Sequence, residues 1–448
     1  MEVIYQVLPR FWGKGKFSDW DSKTFEYLKS LNVTAIWYTG IIRHASGKAF
    51  VKGDPGSPYS IEDYHDVNPY LADDPDKRME EFRNLVRRTH RAGLKAIIDF
   101  VPNHVSPDCN DLPKCSYCDY DWTDTLKVDY SHPDTWRKML EIVLFWAGTG
   151  VDGFRCDMVE MVPPEFLAWL IAEVRKRHPA MLFIGEVYDR NNYRRYIKEL
   201  GFDLLYDKSG LYDYLRSIIC NGASARNITR NWQSLQDLQQ NMLNFLENHD
   251  EQRFASPFFA GDANKAFSAL AAGALFNGAS YMIYAGQEVG ADACEGFEGR
   301  TSIFNWTHPE QLVRLHRYIH TGKGLDESEL KLLNRYRELF NRLSSPVFSG
   351  ASNYDLCWCN SQAGGFDPEV HFAFVKYWRA PRRRHASASV VFCNFSSTPA
   401  SVRLNIPEDL RAKKELGYLP EKVQLETGPY GVAVYTIPLT STQISSSL

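Results

Sequence analysis

The sequence predicts an α/β fold, a closed (β/α)8 TIM barrel carrying a small excursion after strand three and followed by a C-terminal all-β sandwich. Three observations predict it. Short apolar runs alternate with segments of helical period from Val3 to Leu343. Eight such runs are present, and eight strands separated by helices point to a closed parallel barrel rather than an open sheet. After Pro346 the helical period stops, and short strand patterns with polar or Pro/Gly breaks replace it.

Taken in order, Val3 to Leu8 is the first strand and Val33 to Tyr38 the second, with Phe25, Leu28 and Leu31 at helical spacing between them. A loop broken by Gly53, Pro55, Gly56 and Pro58 ends in Tyr59-Ser60-Ile61-Glu62-Asp63-Tyr64. Asp74-Pro75 opens a helix as a capping residue followed by proline. Met79, Phe82, Leu85 and Val86 form its apolar face, and Gly93 ends it. Leu94 to Val101 is strand three. The stretch from Val105 to His132 is polar, lacks a helical period and interrupts the rhythm. Pro133 opens the next helix, with Trp136, Leu140, Val143 and Ala147 on one face. Strand four is Gly153 to Asp157, and Phe166, Leu170 and Val174 mark the helix behind it. Leu182 to Val187, Phe202 to Tyr206, Met242 to Leu246 and Tyr281 to Ala285 complete the strands. Helical patterns fill Leu211 to Ile219, Ala225 to Leu238, Ala263 to Phe276 and Glu327 to Leu343. Beyond them, Phe372 to Lys376, Ser389 to Phe395, Ser401 to Leu404 and Val432 to Ile437 read as strands. The basic run Arg379 to Arg384 reads as a solvated loop and the Ser/Thr-rich tail as frayed. The expected domains are a barrel over 1–104 and 133–345, an inserted segment over 105–132 and a β-sandwich over 346–448.

Composition narrows the function. Of 448 residues, 44% are hydrophobic and 24% charged, the balance of a globular protein with ample core. A net charge of −4 argues against binding nucleic acid by phosphate neutralisation. Aromatics at 14% suit a sugar cleft, although core packing uses most of them. No apolar run is long enough to cross a membrane. The start reads as a strand rather than a leader, and nine scattered cysteines fit reduced thiols, so a cytoplasmic location is expected.

Polar residues collect at strand ends, where such barrels hold their chemistry. They are Asp99, Asn103 and His104 after strand three, Arg155 and Asp157 on strand four, Glu186 on strand five, and His249 and Asp250 after strand seven. Alternation along a strand puts Arg155 and Asp157 on one face. The neighbouring guanidinium should lower the pKa of Asp157 and keep it ionised, as a nucleophile requires. Glu186 follows the apolar Phe183-Ile184-Gly185, and desolvation with nearby carboxylates should raise its pKa, as a general acid requires. Three carboxylates at one mouth are what glycoside hydrolysis needs.

The stretches Asp99-Phe100-Val101-Pro102-Asn103-His104, Gly153-Phe154-Arg155-Cys156-Asp157, Gly185-Glu186-Val187 and Phe245-Leu246-Glu247-Asn248-His249-Asp250 resemble the four signature regions of the α-amylase family of glycoside hydrolases. They stand in the family's order. The resemblance implies a retaining mechanism with Asp157 as nucleophile, Glu186 as acid/base and Asp250 as transition-state stabiliser. It implies that Arg155, His104 and His249 hold the sugar in the cleavage subsite and that Tyr59 lies under it as an aromatic platform. Asp99 is expected to orient Arg155. Tyr284-Ala285-Gly286-Gln287-Glu288 resembles the eighth-strand signature and reads as structural.

Two departures stand out. Many α-amylases bind calcium through the first Asn of the first region and an Asp in the excursion. Asn103 is present, but Lys127 falls where that Asp would be, and its ammonium could replace the cation's charge. No cofactor is therefore certain, and a calcium requirement stays open. The Lys127 stretch leans toward neopullulanase-like members. Glu160 and Met161 replace the Lys and His that typical α-amylases carry after the nucleophile, which leaves the leaving-group subsites undefined. Cys109, Cys115 and Cys118 lack the paired second half of a zinc site. His44, His65 and His90 read as ordinary histidines.

The expected activity is hydrolysis of α-1,4-glucosidic bonds in starch, glycogen or malto-oligosaccharides through a covalent glycosyl-enzyme. The expected partner is an α-glucan, with no nucleic acid and no membrane. The alternatives are a cyclomaltodextrinase, neopullulanase or glucanotransferase on the same scaffold and, from another class, a non-catalytic sugar-binding protein. The short excursion predicts an open cleft that attacks chain interiors.

Overall fold

The computed structural model describes residues 1–350, 352–361, 364–378, 387–413, 419–437 and 444–447. Eight parallel strands close into a barrel. They are β1 (Val3–Val7), β2 (Ala35–Tyr38), β3 (Lys95–Phe100), β4 (Gly153–Cys156), β5 (Leu182–Gly185), β6 (Leu204–Tyr206), β7 (Met242–Phe245) and β8 (Ser280–Tyr284). Each pairs with its sequence neighbours, and β8 closes on β1 with Val3 opposite Tyr281. The strands are buried almost throughout, so they read as continuous apolar runs rather than as an alternating pattern.

The helices pack outside. Asp21 caps α1 (Ser22–Ser30) by accepting from the Thr24 amide at 3.0 Å. Asp74-Pro75 begins with a 3-10 turn, and α2 proper is Arg78–Arg91. Gly93, at φ +80°, turns the chain into β3. Next come α3 (Thr135–Ala147), α4 (Pro164–Arg177) and the short α5 (Tyr193–Lys198). The segment expected as a helix over Leu211 to Ile219 is a π-type turn at Lys208–Tyr212 running into α6 (Asp213–Asn221). Then follow α7 (Arg226–Leu235), α8 (Phe267–Leu275), α9 (Glu310–Thr321) and α10 (Glu327–Asn341). Helix α9 gives little signal in the sequence because its apolar stripe is thin. Only Leu312 and Leu315 are fully buried.

After the barrel, an antiparallel sheet takes the order β9 (Asn353–Asp355), β10 (His371–Trp378), β11 (Ser387–Asn394), β14 (Val432–Ile437), β15 (Ile444–Ser447). A two-stranded sheet, β12 (Ala400–Asn405) with β13 (Lys422–Thr427), covers one face. Strands β9, β13 and β15 were not anticipated. The chain at Ile444–Ser447, expected to fray, pairs with β14. The basic run Arg379 to Arg384 lies outside the described residues.

Alternation explains how this sheet attaches. Ala373 and Val375 face the small sheet, whereas Phe372 and Phe374 join the barrel core and pack on Phe276, each at 4.9 Å between ring centroids. Lys376 shares the barrel-facing side. It is fully buried, and its ammonium nitrogen donates to the Phe276 carbonyl at 3.2 Å and the Gly350 carbonyl at 2.5 Å.

Burial pulls the Lys376 pKa down to about 7. The unfolded chain keeps that proton up to roughly pH 10.4. Between those values the unfolded state binds more protons, so folding stability rises with pH there. Denaturant titrations of wild type and Lys376→Met should diverge accordingly. The wild type should gain stability relative to the variant from pH 7 to pH 10, by up to about 1.4 kcal/mol per unit.

Candidate active site

The ladder bonds run one residue past each strand and so place the carboxylates. The Asp157 amide donates to the Phe100 carbonyl at 2.9 Å, and the Glu186 amide to the Cys156 carbonyl at 3.1 Å. Arg155 faces the barrel axis and is wholly buried. The rings of Trp37, Tyr59 and Tyr206 surround its guanidinium at 5.4, 5.6 and 5.4 Å. Its Nη1 donates to Asp157 Oδ1. Its Nη2 lies 2.7 Å from Glu186 Oε1, off the hydrogen-bond line, and 3.9 Å from Asp250 Oδ2. One guanidinium thus touches all three carboxylates.

Glu186 accepts two hydrogen bonds, from the Tyr188 hydroxyl at Oε1 and from the Met158 amide at Oε2, both at 2.8 Å. Met158 holds a left-handed φ of +44°, a strained conformation for a side-chain-bearing residue, and this turn aims its amide at the acid. Burial pushes Glu186 up, Arg155 pulls it back, and the charge of Asp157 pushes it up again. The expectation for Asp157 was wrong in sign. Desolvation outweighs Arg155 and raises that carboxyl also. Asp250 is raised by burial and then by Glu186, although its side chain keeps 32% of its surface on the cleft, so water tempers the burial.

The other expected residues divide in two. Tyr59 and His104 line a cleft of about 320 Å³ together with Asp157, Glu186 and Asp250. His104 Nε2 stands 3.8 Å from Asp157 Oδ2, and burial lowers its pKa to about 4, leaving it neutral. Arg155 and His249, expected to hold sugar, are buried and are not among the residues that line the cleft. The Gln6 amide donates to His249 Nδ1 at 2.7 Å. The ring proton therefore sits on Nε2, which faces Asp250 Oδ2 at 3.2 Å and the Tyr59 hydroxyl. Tyr59 stacks on this ring at 5.2 Å and donates onward to Asp99 at 3.3 Å. Asp99 also accepts from Trp37 Nε1 at 3.1 Å and the Gly40 amide at 2.7 Å. It makes no hydrogen bond or ion pair with Arg155 among the described residues. It holds Tyr59 and the β2 loop instead.

Several lining residues were missed: Lys52, Ser57, Trp122, Asp124, Tyr188, Arg300 and Phe304. They come from loops whose sequence carries no period. Tyr188 had a signal, since it lies two residues beyond Glu186. Glu160 closes the turn after β5 by accepting from the Tyr188 amide at 2.7 Å and Asn192 Nδ2 at 2.8 Å. Glu288 is buried and accepts from the hydroxyls of Tyr5 and Tyr27 at 2.8 and 2.6 Å. His44 is satisfied by Asn68 and the Pro55 carbonyl, and His90 by Asp152. Among the described residues Cys109, Cys115 and Cys118 do not converge as a metal group.

The residues do not fit a calcium ion at Asn103. Lys127 Nζ lies 3.1 Å from Asn103 Oδ1 and 3.2 and 3.0 Å from the two oxygens of Asp119, while Asn103 Nδ2 donates to Asp119 at 2.8 Å. An ammonium already sits where the oxygen ligands meet. Any shift of the thermal melt on addition of EDTA should therefore be the same in Asn103→Ala as in the wild type. Lys127→Met should lower stability by about 1–3 kcal/mol, because Asp119 and Asn103 lose their half-buried partner.

Comparisons with known proteins identify the family. The family described as "Alpha amylase, catalytic domain" matches residues 21–117 and 114–335. An alpha-1,4-glucan:maltose-1-phosphate maltosyltransferase of Cereibacter sphaeroides is 26% identical over 74% of this chain and 58% of its own length. Alpha-amylase 3 of Dictyoglomus thermophilum is 25% identical over 70% of each chain. The chain thus spans little more than half of the first of these relatives. In fold, an alpha-amylase from Lactobacillus plantarum superposes with a TM-score of 0.70 at 20% identity, covering 98% of this chain and 99% of that one. The matched family covers well over half of the sequence, including every strand end that carries a carboxylate, and the chain belongs to the alpha-amylase family.

Proposed function

We propose that the protein hydrolyses α-1,4-glucosidic bonds of starch- or glycogen-derived chains with retention of configuration. The observation that carries this reading is the contact of Asp157, Glu186 and Asp250, which line the cleft, with the one guanidinium of Arg155 buried behind them.

In the reaction, Asp157 attacks the anomeric carbon while Glu186 gives its proton to the departing glycosidic oxygen. A glycosyl ester on Asp157 results. Glu186, now ionised, takes a proton from water, which attacks the same carbon and frees Asp157. Asp250 stands beside the positive charge that develops on the sugar. The anchored guanidinium of Arg155 favours the ionised nucleophile. The Tyr188 hydroxyl and the Met158 amide receive the Glu186 carboxylate once its proton has left. The neutral His104 can donate to the sugar.

A second reading, transfer to a sugar acceptor or opening of a cyclodextrin ring, is favoured by the Lys127 stretch. Relatives named as a maltosyltransferase and a cyclomaltodextrin glucanotransferase support it as well. Nine free cysteines support a reducing compartment, and no helix of the described residues is long and apolar enough to cross a membrane.

Asp157→Asn and Glu186→Gln should each lower kcat by about 10²–10⁴-fold or more on maltoheptaose while the fold persists. The pH profile of kcat/KM should be bell-shaped. Activity should appear as Asp157 ionises and fall as pH rises through the elevated pKa of Glu186, because the acid then enters without its proton. Tyr188→Phe removes a donor to the Glu186 carboxylate, so the alkaline limb should move to higher pH. A product profile on maltoheptaose, cyclodextrin and pullulan separates the two readings. Cyclodextrin as the best substrate, or products longer than the substrate, would replace the first by the second.

A further inference from the structure

The walls of the cleft differ at its two ends. On the acid side, Tyr188 is shared with a second open depression, of about 590 Å³, that continues past Asp189, Arg190 and Ser234. A leaving group protonated by Glu186 departs in that direction. On the other side, contacts lead from Asp157 to His104, and from His104 to the Trp122 ring at 5.1 Å. There the loop after β2 forms a strap tied to the excursion on one side and to the loop after β8 on the other. Lys48 pairs with Asp108 at 2.6 Å, and Lys52 Nζ donates to the Asp121 carbonyl at 3.1 Å, both on the excursion. Trp306 Nε1, from the loop after β8, donates to Asp54 Oδ2 at 2.7 Å. Gly53, at φ +69°, lies so close to the Phe304 carbonyl that any Cβ would overlap it.

One carboxylate oxygen beside the strap has no hydrogen-bond partner among the described residues. Asp124 is 3% exposed and lines the cleft, and its Oδ2 accepts no hydrogen bond from any described residue. Its Oδ1 lies 3.6 Å from Lys52 Nζ, too far for a hydrogen bond. A buried carboxylate oxygen left unpaired is costly unless a ligand completes it. Retaining catalysis places the donor part of the chain on this side of Asp157, away from Glu186. A carboxylate accepting from a hydroxyl, next to an ammonium donating to one, matches two hydroxyls of a hexose.

We propose that Asp124 and Lys52 bind the hydroxyls of the non-reducing terminal glucosyl unit, so that the enzyme works from chain ends instead of chain interiors. This rests on the hydrolytic reading above. The free 4-hydroxyl of a terminal unit can donate to Asp124, whereas in an interior unit that oxygen is substituted and the chain would have to continue through the strap. The short excursion thus does not open the cleft on this side.

The test compares p-nitrophenyl maltoheptaoside with the same compound blocked at its terminal 4- and 6-hydroxyls, counting every nitrophenyl product by chromatography. The wild type should cleave the blocked compound at least about tenfold more slowly, the loss expected when a hydroxyl acceptor goes unfilled. Lys52→Ala and Asp124→Ala should bring the two rates together, each variant serving as its own control for folding. Equal rates in the wild type would overturn the chain-end proposal and leave hydrolysis standing. Cleavage of neither compound would overturn both. Should the variants fail to fold, the wild-type ratio alone decides.

Discussion

Three carboxylates depend on one desolvated cation. Arg155 sits on the barrel axis beneath Tyr59, with Trp37 and Tyr206 also against its guanidinium, and it lies within 4 Å of Asp157, Glu186 and Asp250. Burying a guanidinium costs several kcal/mol, and only close carboxylates offset that cost. The compensation is unequal. Three acids face one permanent cation, and burial keeps both nearby histidines neutral. Burial and mutual repulsion therefore push all three carboxyls upward despite the cation. That direction favours a proton held within the group, the state that the proposed retaining mechanism uses.

A second layer holds this group in place. Gln6 orients His249, His249 meets Tyr59 and Asp250, and Tyr59 leans on Asp99, which fastens the β2 loop through the Gly40 amide. The chain of bonds connects strands β1, β2, β3 and β7 through side chains. It also explains why conspicuous polar residues at strand ends are not all at the sugar surface. Lys127 acts similarly one shell further out, joining the excursion to Asn103 with an internal ammonium. The C-terminal sheet lies remote from these groups and is bound to the barrel by the aromatic packing on Phe276 and by buried Lys376.

Much of this was legible in the residues themselves. The barrel follows from alternating short apolar runs and helical periods, because buried parallel strands need apolar residues on both faces. The acids could be found because charged residues at the ends of such strands have no packing role. Asp157 and Glu186 are set by strand alternation and a ladder that extends one residue past each strand. Strands β9, β13 and β15, the thin stripe of α9 and the lining residues Trp122, Asp124 and Phe304 were not legible. Their positions depend on what packs against them rather than on any local period.

The sequence by itself determined the fold class and the strand order, which follow from periodicity along the chain, and its signature stretches pointed to the carboxylates at the strand ends. Tertiary structure alone decided the sign of the Asp157 shift, the burial of Arg155 and His249 behind the cleft surface and the tethering of the β2 loop to the excursion and the β8 loop. Those outcomes are balances between desolvation and charge, or meetings of loops more than sixty residues apart, such as Lys52 with Asp121 and Asp54 with Trp306. Such distances and burials come into being only when the chain has folded.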